Sequence, residues 1–257
     1  NFGHTAETFA EPYFIQLLTG GLSYAIGENL PVDYAKARSL RVPPAHRFLA
    51  TPLLNNLEEP TELEILPDGR ILFAQRRGKL MLYDPEQDTL QQAADLKVWT
   101  KFEDGLVGLA LDPGFRRNRW VYLYYAPVGE EPKFNLSRFV FQGDTLVPGS
   151  EQLVLEVPVQ RDTCCHTGGS IEFGPEGYLY LSTGDDTNPF NTRYAPIDER
   201  PGMEAFDAQR SSGNPSDLRG KVLRIQPLAD GGYTVPEGNL FPRDGSQGRP
   251  EIYVMGC

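Results

Sequence analysis

One hairpin phrase decides the fold and occurs three times, as "LEILPDGRILFAQ" at 63–75, "LALDPGFRRNRWVYLYY" at 109–125 and "IEFGPEGYLYLST" at 171–183. Each copy alternates apolar with polar residues, passes through a turn that contains proline, and alternates again. Alternation with a period of two is typical of a strand, and a turn between two such runs indicates a β-hairpin. The sequence therefore predicts at least three similar β-units.

Each copy of the phrase leads on to a further strand-like run, which brings each unit to about four strands. These runs are "GKLMLYDP" at 78–85, "NLSRFVFQGD" at 135–144 and "GKVLRIQPLADG" at 220–231. A repeat of roughly 40–50 residues with about four strands is typical of a β-propeller blade. Loop insertions such as 187–215 account for the uneven spacing, and "RPEIYVMG" at 249–256 is predicted to begin a fourth blade. A β-sandwich with similar hairpins is the alternative.

The N-terminal residues have a different texture from the rest. Apolar residues in "ETFAEPYFIQLLTGGLSYAIG" recur at helical intervals, with Thr8 as a candidate N-cap and Pro12 in the first turn. A proline-rich stretch of mixed charge follows and is predicted to be a linker. The chain opens without methionine and stops on a strand-like run, which we interpret as an internal piece of a longer protein. We divide it into a helical segment at 1–27, a linker at 28–46 and a β-domain at 47–257.

Composition narrows the possible partners. The chain has 24 basic and 35 acidic residues, a formal net charge of −11, and no basic stripe. Such a charge disfavours nucleic acid and anionic membrane surfaces, because their phosphates would be repelled. No apolar run approaches the roughly 20 residues of a membrane-spanning helix. We therefore expect no nucleic-acid partner and no membrane span in these residues.

His166 is the first candidate for chemistry. It stands in "DTCCHTGGS", directly after two cysteines and just before Gly168 and Gly169. A lone histidine is more often structural, but the glycines allow close approach of backbone or ligand, and the strand that follows would be the innermost of a blade. The ends of such strands line the central channel of a propeller. An imidazole there can accept a proton from a hydroxyl group near neutral pH.

Two pairs of carboxylates lie at related positions. Asp185 and Asp186 end the second strand after His166, at a turn, where capping of that turn is the simpler interpretation. Glu103 and Asp104 precede a glycine-led inner strand, at the same blade position as His166. Two blades would thus offer acid or base groups at equivalent strand starts, which predicts a shared site. A lactone or ester hydrolase is disfavoured, because neither a Ser/His/Asp order nor a cluster of metal ligands emerges.

The three cysteines leave alternatives open. Cys164 and Cys165 can pack as small apolar side chains, join each other in a vicinal disulfide, or supply one partner for Cys257. Neither a CxxC pair nor a Cys/His spacing indicates zinc, so no metal ligand is assigned.

Phrases across about 55–257 resemble, in the same order, the soluble sugar dehydrogenases that depend on pyrroloquinoline quinone (PQQ), the glucose/sorbosone and aldose sugar dehydrogenase family. They are "EPTELEILPDGRILFAQRRGKLMLYD", "EDGLVGLALDPGFRRNRWVYLYY", "NLSRF", "HTGGSIEFGPEGYLYLSTGD", "LRGKVLRI" and "PEIYVMG". The resemblance implies a six-bladed, all-β propeller, truncated here after about three blades. It also implies PQQ-dependent oxidation of an aldose or related sugar by hydride transfer to the quinone, in a piece of the protein that would be inactive alone. A propeller that binds glycan or protein without turnover is the alternative.

The resemblance assigns roles to three residues. His166 would be the base that removes the proton of the sugar's C1 hydroxyl, while Glu103 and Asp185 would contact the cofactor and shape the base's surroundings. Calcium would be bound by ligands outside these residues. An external electron acceptor such as a cytochrome c, and a periplasmic or secreted location, are implied in the same way.

One departure from the family concerns the residue before the base. Several relatives have an acidic residue there, where this chain has Cys165, and a thiol cannot orient an imidazole as a carboxylate does. Quinoproteins of another family stack a vicinal disulfide on the quinone, and Cys164–Cys165 can do the same. The family fold also brings the segment after Cys257 to the cofactor, which implies a bridge to Cys257 equally well.

The N-terminal 27 residues resemble the end of a ThuA-like (trehalose-utilisation) domain, which is an α/β fold. The matching text is "NFGHTAETFAEPYFIQLLTGGLSYAIG". The helical segment would then be a remnant of that domain. His4 would belong to that domain's site, so it receives no role here.

Overall fold

A computed structural model describes residues 49–129, 131–190 and 192–257. The helical segment, the linker, His4 and the ThuA-like resemblance lie outside these residues. All the strands described below fall within Leu53–Cys257. No helix in the described ranges is long and apolar enough to cross a membrane.

The first antiparallel sheet has four strands in the order of the chain. They are β1 (Pro60–Ile65), β2 (Ile71–Gln75), β3 (Lys79–Asp84) and β4 (Thr89–Asp95). The first hairpin phrase forms β1, its turn and β2, with Leu63 opposite Phe73. The period-two pattern has therefore become the predicted hairpin.

The second sheet repeats this arrangement with additions. Its elements are β5 (Leu106–Leu111), the short helix α1 (Phe115–Asn118), β6 (Trp120–Tyr125), β7 (Lys133–Gln142), β8 (Thr145–Leu146) and β9 (Gln152–Pro158). β8 pairs with the end of β7 in a tight hairpin, and β9 pairs with β7 as the outer strand. Without β8, this sheet has the same four-stranded order as the first.

The third sheet contains the last hairpin phrase. Its strands are β10 (Gly168–Phe173), β11 (Leu179–Thr183), β12 (Lys221–Pro227), β13 (Tyr233–Thr234) and β14 (Ile252–Met255). β14 pairs with β12 and so forms the outer strand of this sheet. The prediction that "RPEIYVMG" begins a fourth blade is therefore wrong. Once β13 has turned away, the edge of β12 still carries unpaired backbone groups, and β14 satisfies them.

The predicted all-β fold is confirmed: three similar antiparallel sheets form three propeller blades. The middle sheet is buried on both faces. Along β6, Val121, Leu123 and Tyr125 pack in the cluster with the first sheet, while Tyr122 and Tyr124 pack in the cluster with the third. A strand buried on both faces reads as a continuous apolar run, which explains "WVYLYY".

Two glycines bring the inner strands β5 and β10 together. A Cβ on Gly108 would lie 2.2 Å from the carbonyl oxygen of Gly169, and a Cβ on Gly169 would lie 2.6 Å from Cγ2 of Val107. Neither position has room for a side chain. Because both glycines stand near the strand starts, the loops that enter β5 and β10 lie next to each other. We call this end of the blades the rim, and the opposite end, with the proline turns, the turn end.

Candidate active site

The loop between β9 and β10 carries His166 to the rim in an unusual backbone conformation. Cys165 has φ 142° and His166 has φ 61°, and both values fall in the region that favours glycine. Cys164 and Cys165 form a vicinal disulfide with their Cα atoms 3.5 Å apart, and Cys257 is free and exposed. Of the three cysteine alternatives the structure shows the vicinal disulfide, and neither apolar packing of free thiols nor a bridge to Cys257.

His166 pairs with Asp185 across the rim. Its Nδ1 lies 2.8 Å from Oδ1 of Asp185, and the histidine side chain is 45% exposed while the aspartate is 12% exposed. The backbone N–H of Thr187 donates to the same Oδ1 at 3.0 Å. Because a carboxylate only accepts hydrogen bonds, the neutral imidazole bears its proton on Nδ1 and keeps a lone pair on Nε2. The arrangement presents Nε2 as a proton acceptor.

The backbone of His166 lies directly against the end of β11. A Cβ on Gly184 would be 1.5 Å from the carbonyl oxygen of His166. That carbonyl accepts a hydrogen bond from the N–H of Asp186 at 3.2 Å, and Gly184 donates to the carbonyl of Thr167 at 3.0 Å. Gly184 is thus the reason why Asp185 can reach the imidazole at all.

Glu103 reaches the same place from the neighbouring blade. Its Oε2 accepts a hydrogen bond from the N–H of Thr167 at 3.2 Å. The structure therefore brings His166 and Glu103 together, as the equivalent strand starts predicted, and Asp185 joins them from the end of β11. Glu103 contacts Thr167, the residue after His166, and its predicted contact with a cofactor remains a prediction, as does that of Asp185.

Asp104 forms a buried ion pair beneath this group. Its Oδ2 lies 3.2 Å from Nε of Arg161, and the two side chains are 9% and 8% exposed. The guanidinium of Arg161 also lies 4.6 Å from the ring centre of Trp99. Burial raises the pKa of Asp104, and the hydrogen bond from Arg161 works against that shift. The pair ties the start of the loop between β9 and β10, here called the His166 loop, to the start of β5.

Asp186 binds the His166 loop through Gln160. It accepts hydrogen bonds from the backbone of Gln160 at its carboxylate and from Nε2 of Gln160 at its carbonyl, and Arg219 lies 3.4 Å from its Oδ2. Burial raises the pKa of Asp186 to about 7 and the negative charge of Asp104 adds to the shift, while Gln160 and Arg219 oppose it. Asp186 therefore does more than cap a turn, because it connects the long β11–β12 loop to the His166 loop.

A buried lysine fixes the far side of that long loop. Nζ of Lys221 donates to the carbonyls of Ser211, Ser212 and Arg219 at 2.7, 3.2 and 2.6 Å. Burial lowers its pKa. Sequence reasoning missed Lys221, Arg161 and Gln160. Arg161 and Gln160 bind carboxylates 57 and 26 residues away in the chain, and Lys221 binds loop carbonyls that no local pattern connects to it.

In the described ranges no three His, Cys, Asp or Glu residues gather in a group that could hold a metal ion. Two other groups at the rim, the imidazole of His166 and the Cys164–Cys165 disulfide, can contact a flat organic ring. The imidazole is half exposed with Nε2 free, and the disulfide beside it offers a polarisable sulfur surface.

The rim thus combines an imidazole–carboxylate pair at the start of an inner strand with carboxylates of the neighbouring blade, an arrangement that can transfer protons. The sequence model of the glucose/sorbosone dehydrogenase family matches residues 57–257. The chain therefore belongs to that family.

Individual relatives agree with the family assignment. The chain is 26% identical over 208 residues to an aldose sugar dehydrogenase of Escherichia coli, covering 79% of this chain and 49% of the relative. The solved structure of the PQQ-bound aldose sugar dehydrogenase of Streptomyces coelicolor matches with a TM-score of 0.57 and 25% identity, over 77% of this chain and 50% of that one. The chain spans about half the length of these dehydrogenases.

A relative of another kind also matches. The mouse Hedgehog-interacting protein is 24% identical over 250 residues, which cover 87% of this chain and 33% of that protein.

Proposed function

We propose that the protein oxidises an aldose or a related sugar, with His166 as the general base and PQQ as the hydride acceptor. The observation that carries the proposal is the His166–Asp185 pair, in which Nδ1 is engaged at 2.8 Å while the side chain stays 45% exposed. An oriented imidazole with an open Nε2 is the arrangement that general-base catalysis requires.

The chain's own residues account for the proton in this reaction. Nε2 of His166 takes the proton of the C1 hydroxyl as that O–H bond breaks, and the hydrogen on C1 leaves as hydride. The imidazolium that forms is stabilised by the carboxylate of Asp185, because a charge-assisted hydrogen bond is stronger than a neutral one. Asp185 keeps its own position through the N–H of Thr187.

PQQ, when bound, supplies a two-electron acceptor for the hydride. The residues that would hold its ring are His166, the Cys164–Cys165 disulfide and Glu103, which meet at the rim. In the described residues no group of His, Cys, Asp or Glu could hold calcium, and its ligands are expected outside this stretch of chain.

Two further expectations accompany the sugar dehydrogenase proposal. Electrons would leave to an external acceptor such as a cytochrome c, and the protein would work in the periplasm or outside the cell. The aldose sugar dehydrogenase relatives support oxidation of a sugar in general. The chain spans about half of their length, so the activity of the whole protein is part of the proposal.

The test is dye-linked dehydrogenase activity of the full-length protein reconstituted with PQQ and Ca²⁺, over a panel of aldoses. Turnover that depends on PQQ and falls by at least about 10²-fold in His166→Ala is expected. Asp162→Asn is the matched control, since Asp162 is an exposed carboxylate of the same loop. PQQ-dependent turnover that survives in His166→Ala would remove the histidine from the mechanism.

A second candidate function is binding of a protein partner without redox turnover. The observation that favours it is the similarity to the Hedgehog-interacting protein, over 87% of this chain. On this hypothesis the full-length protein neither binds PQQ nor turns over any sugar, and His166→Ala changes neither property. A PQQ titration followed by quinone absorbance separates the two candidates before any substrate is added.

A further inference from the structure

We infer that the Cys164–Cys165 disulfide is a positioning element for His166, which holds the backbone of the base in the conformation that lets Nδ1 meet Asp185. The inference rests on the proposed function of His166 as the base. It goes beyond that function by assigning a task to two residues that touch neither the imidazole nor Asp185 through any hydrogen bond.

The first argument is the backbone itself. Cys165 and His166 both have positive φ, at 142° and 61°, and neither residue is glycine. Such conformations are unfavourable for residues other than glycine and persist only when the surroundings enforce them. Something must therefore hold this pair in place.

Hydrogen bonds hold the loop on either side of the pair. Before it, Oγ1 of Thr163 accepts a hydrogen bond from Nδ2 of Asn188 at 2.6 Å. After it, Thr167 donates its N–H to Glu103 at 3.2 Å. The loop is thus fixed at Thr163 and Thr167, with three residues between them.

Between these two anchors the covalent bond is the main constraint. Within the ranges that the structure describes, neither Cys164 nor Cys165 donates or accepts a hydrogen bond, and His166 contributes its carbonyl and Nδ1. The disulfide links the two side chains that precede the base and fixes the direction in which the chain enters His166. Without it, Cys165 and His166 would relax to negative φ, and the imidazole would turn away from Asp185.

The constraint can be removed chemically without changing the sequence. A dithiol reductant delivers two electrons to the S–S bond, each sulfur of the protein takes up one proton, and the reductant closes into its own disulfide. The product is the same chain with two free thiols at 164 and 165. Reduction therefore isolates the covalent bond from any effect of substitution.

The experiment compares three forms of the full-length protein: wild type, wild type reduced with dithiothreitol, and Cys164→Ser/Cys165→Ser. Cys257→Ser is the matched control, because that cysteine is free and exposed. The first readout is the ¹⁵N spectrum of the histidine ring nitrogens, assigned by difference from His166→Ala. A single tautomer protonated at Nδ1 is expected for the wild type and for Cys257→Ser, and a mixture of tautomers for the other two forms.

The second readout is steady-state kinetics with PQQ. We expect kcat to fall by roughly tenfold to a hundredfold in the reduced protein and in the double variant, with KM for the sugar changed less than about threefold. An unchanged tautomer and an unchanged kcat after complete reduction would overturn the inference, even if the double variant failed to fold. A wild type that lacks sugar turnover, but whose His166 spectrum still changes on reduction, would refute the proposed function and leave the positioning role intact.

Discussion

The two ends of the blades are held together in different ways. At the turn end most of the bonds are local: Asp112 accepts from the N–H of Gly114 at 2.7 Å, and Arg70 pairs with Asp68 at 2.9 Å. At the rim the bonds span long stretches of chain, because Asp104 binds Arg161 and Glu103 binds Thr167. The turn end is therefore formed mainly within each hairpin, with Arg70–Asp144 at 2.8 Å as a link to the next blade, whereas the rim exists only after two blades have come together. The candidate site depends on the distant links.

The largest expected effect tests the rim through Asp185. In Asp185→Asn the imidazole loses its anionic partner, so kcat should fall by about 10²-fold or more while KM changes little. Steady-state kinetics of the PQQ-loaded protein measures this, with Asp162→Asn as the control. An Asp185→Asn enzyme with normal kcat would mean that the pairing at 2.8 Å does not serve the base.

The second prediction concerns the space between the end of β11 and the His166 loop. Gly184→Ala would place a methyl group 1.5 Å from the carbonyl of His166, so we expect a loss of about 3 kcal/mol in the free energy of unfolding. Urea denaturation measures the loss. Gly129→Ala, where a Cβ meets nothing within 4 Å, should change stability by less than about 0.5 kcal/mol. Equal effects of the two substitutions would contradict the close approach.

The third prediction uses the titration of Asp186. Its pKa in the folded protein is raised to about 7, above the value of roughly 3.9 expected in the unfolded chain. The folded state then binds more protons than the unfolded state between about pH 4 and 7, so this group lowers stability as the pH rises through that window, by at most about 1.4 kcal/mol per pH unit. Asp186→Asn, which mimics the protonated acid, should remove this contribution.

Urea denaturation at pH 5 and pH 7.5 checks the prediction for Asp186. When the pH is raised from 5 to 7.5, the wild type should lose free energy of unfolding relative to Asp186→Asn, because only the wild type carries the carboxylate that ionises in this window. Asp162→Asn should keep the wild-type difference. If Asp186→Asn also keeps it, the carboxylate is ionised throughout and the burial of Asp186 does not govern its charge.

The smallest effect is expected at the turn end. Arg70→Ala breaks ion pairs to Asp68 and Asp144 at 2.9 and 2.8 Å, both with partly exposed partners. Surface pairs of this kind contribute about 0–1 kcal/mol, so the free energy of unfolding should fall by no more than about 1 kcal/mol. The rate of sugar oxidation should be unchanged. A marked loss of activity would show that the two ends of the blades are coupled.

The contrast between the ends also explains which features could be predicted from the sequence. The hairpins at 63–75, 109–125 and 171–183 follow from alternation and proline turns, which are local signals. His166 and Glu103 were predicted to meet because both precede glycine-led inner strands. That prediction needed only the equivalence of blades, and the structure places the two residues on either side of Thr167.

Features that depend on pairing between distant segments could not be predicted. β14 has an alternating pattern that fits the first strand of a new blade as well as the last strand of an old one, and the free edge of β12 decides between them. Arg161 looks like a loop cation in the sequence, although its partner Asp104 lies 57 residues away in the chain. The choice between a vicinal disulfide and a bridge to Cys257 depends likewise on whether Cys257 lies close to Cys164 or Cys165 in space.

The glycine contact between β5 and β10 has a consequence for protein engineering. Because Gly108 and Gly169 touch through backbone atoms, the separation of the two inner strands is fixed by main-chain geometry and no side chain can adjust it. A mutagenesis library aimed at new substrates should therefore leave these strand starts unvaried. Diversity is better placed in the long loop at 187–215, whose exposed Phe190, Tyr194 and Ile197 can change without altering the distance between the blades.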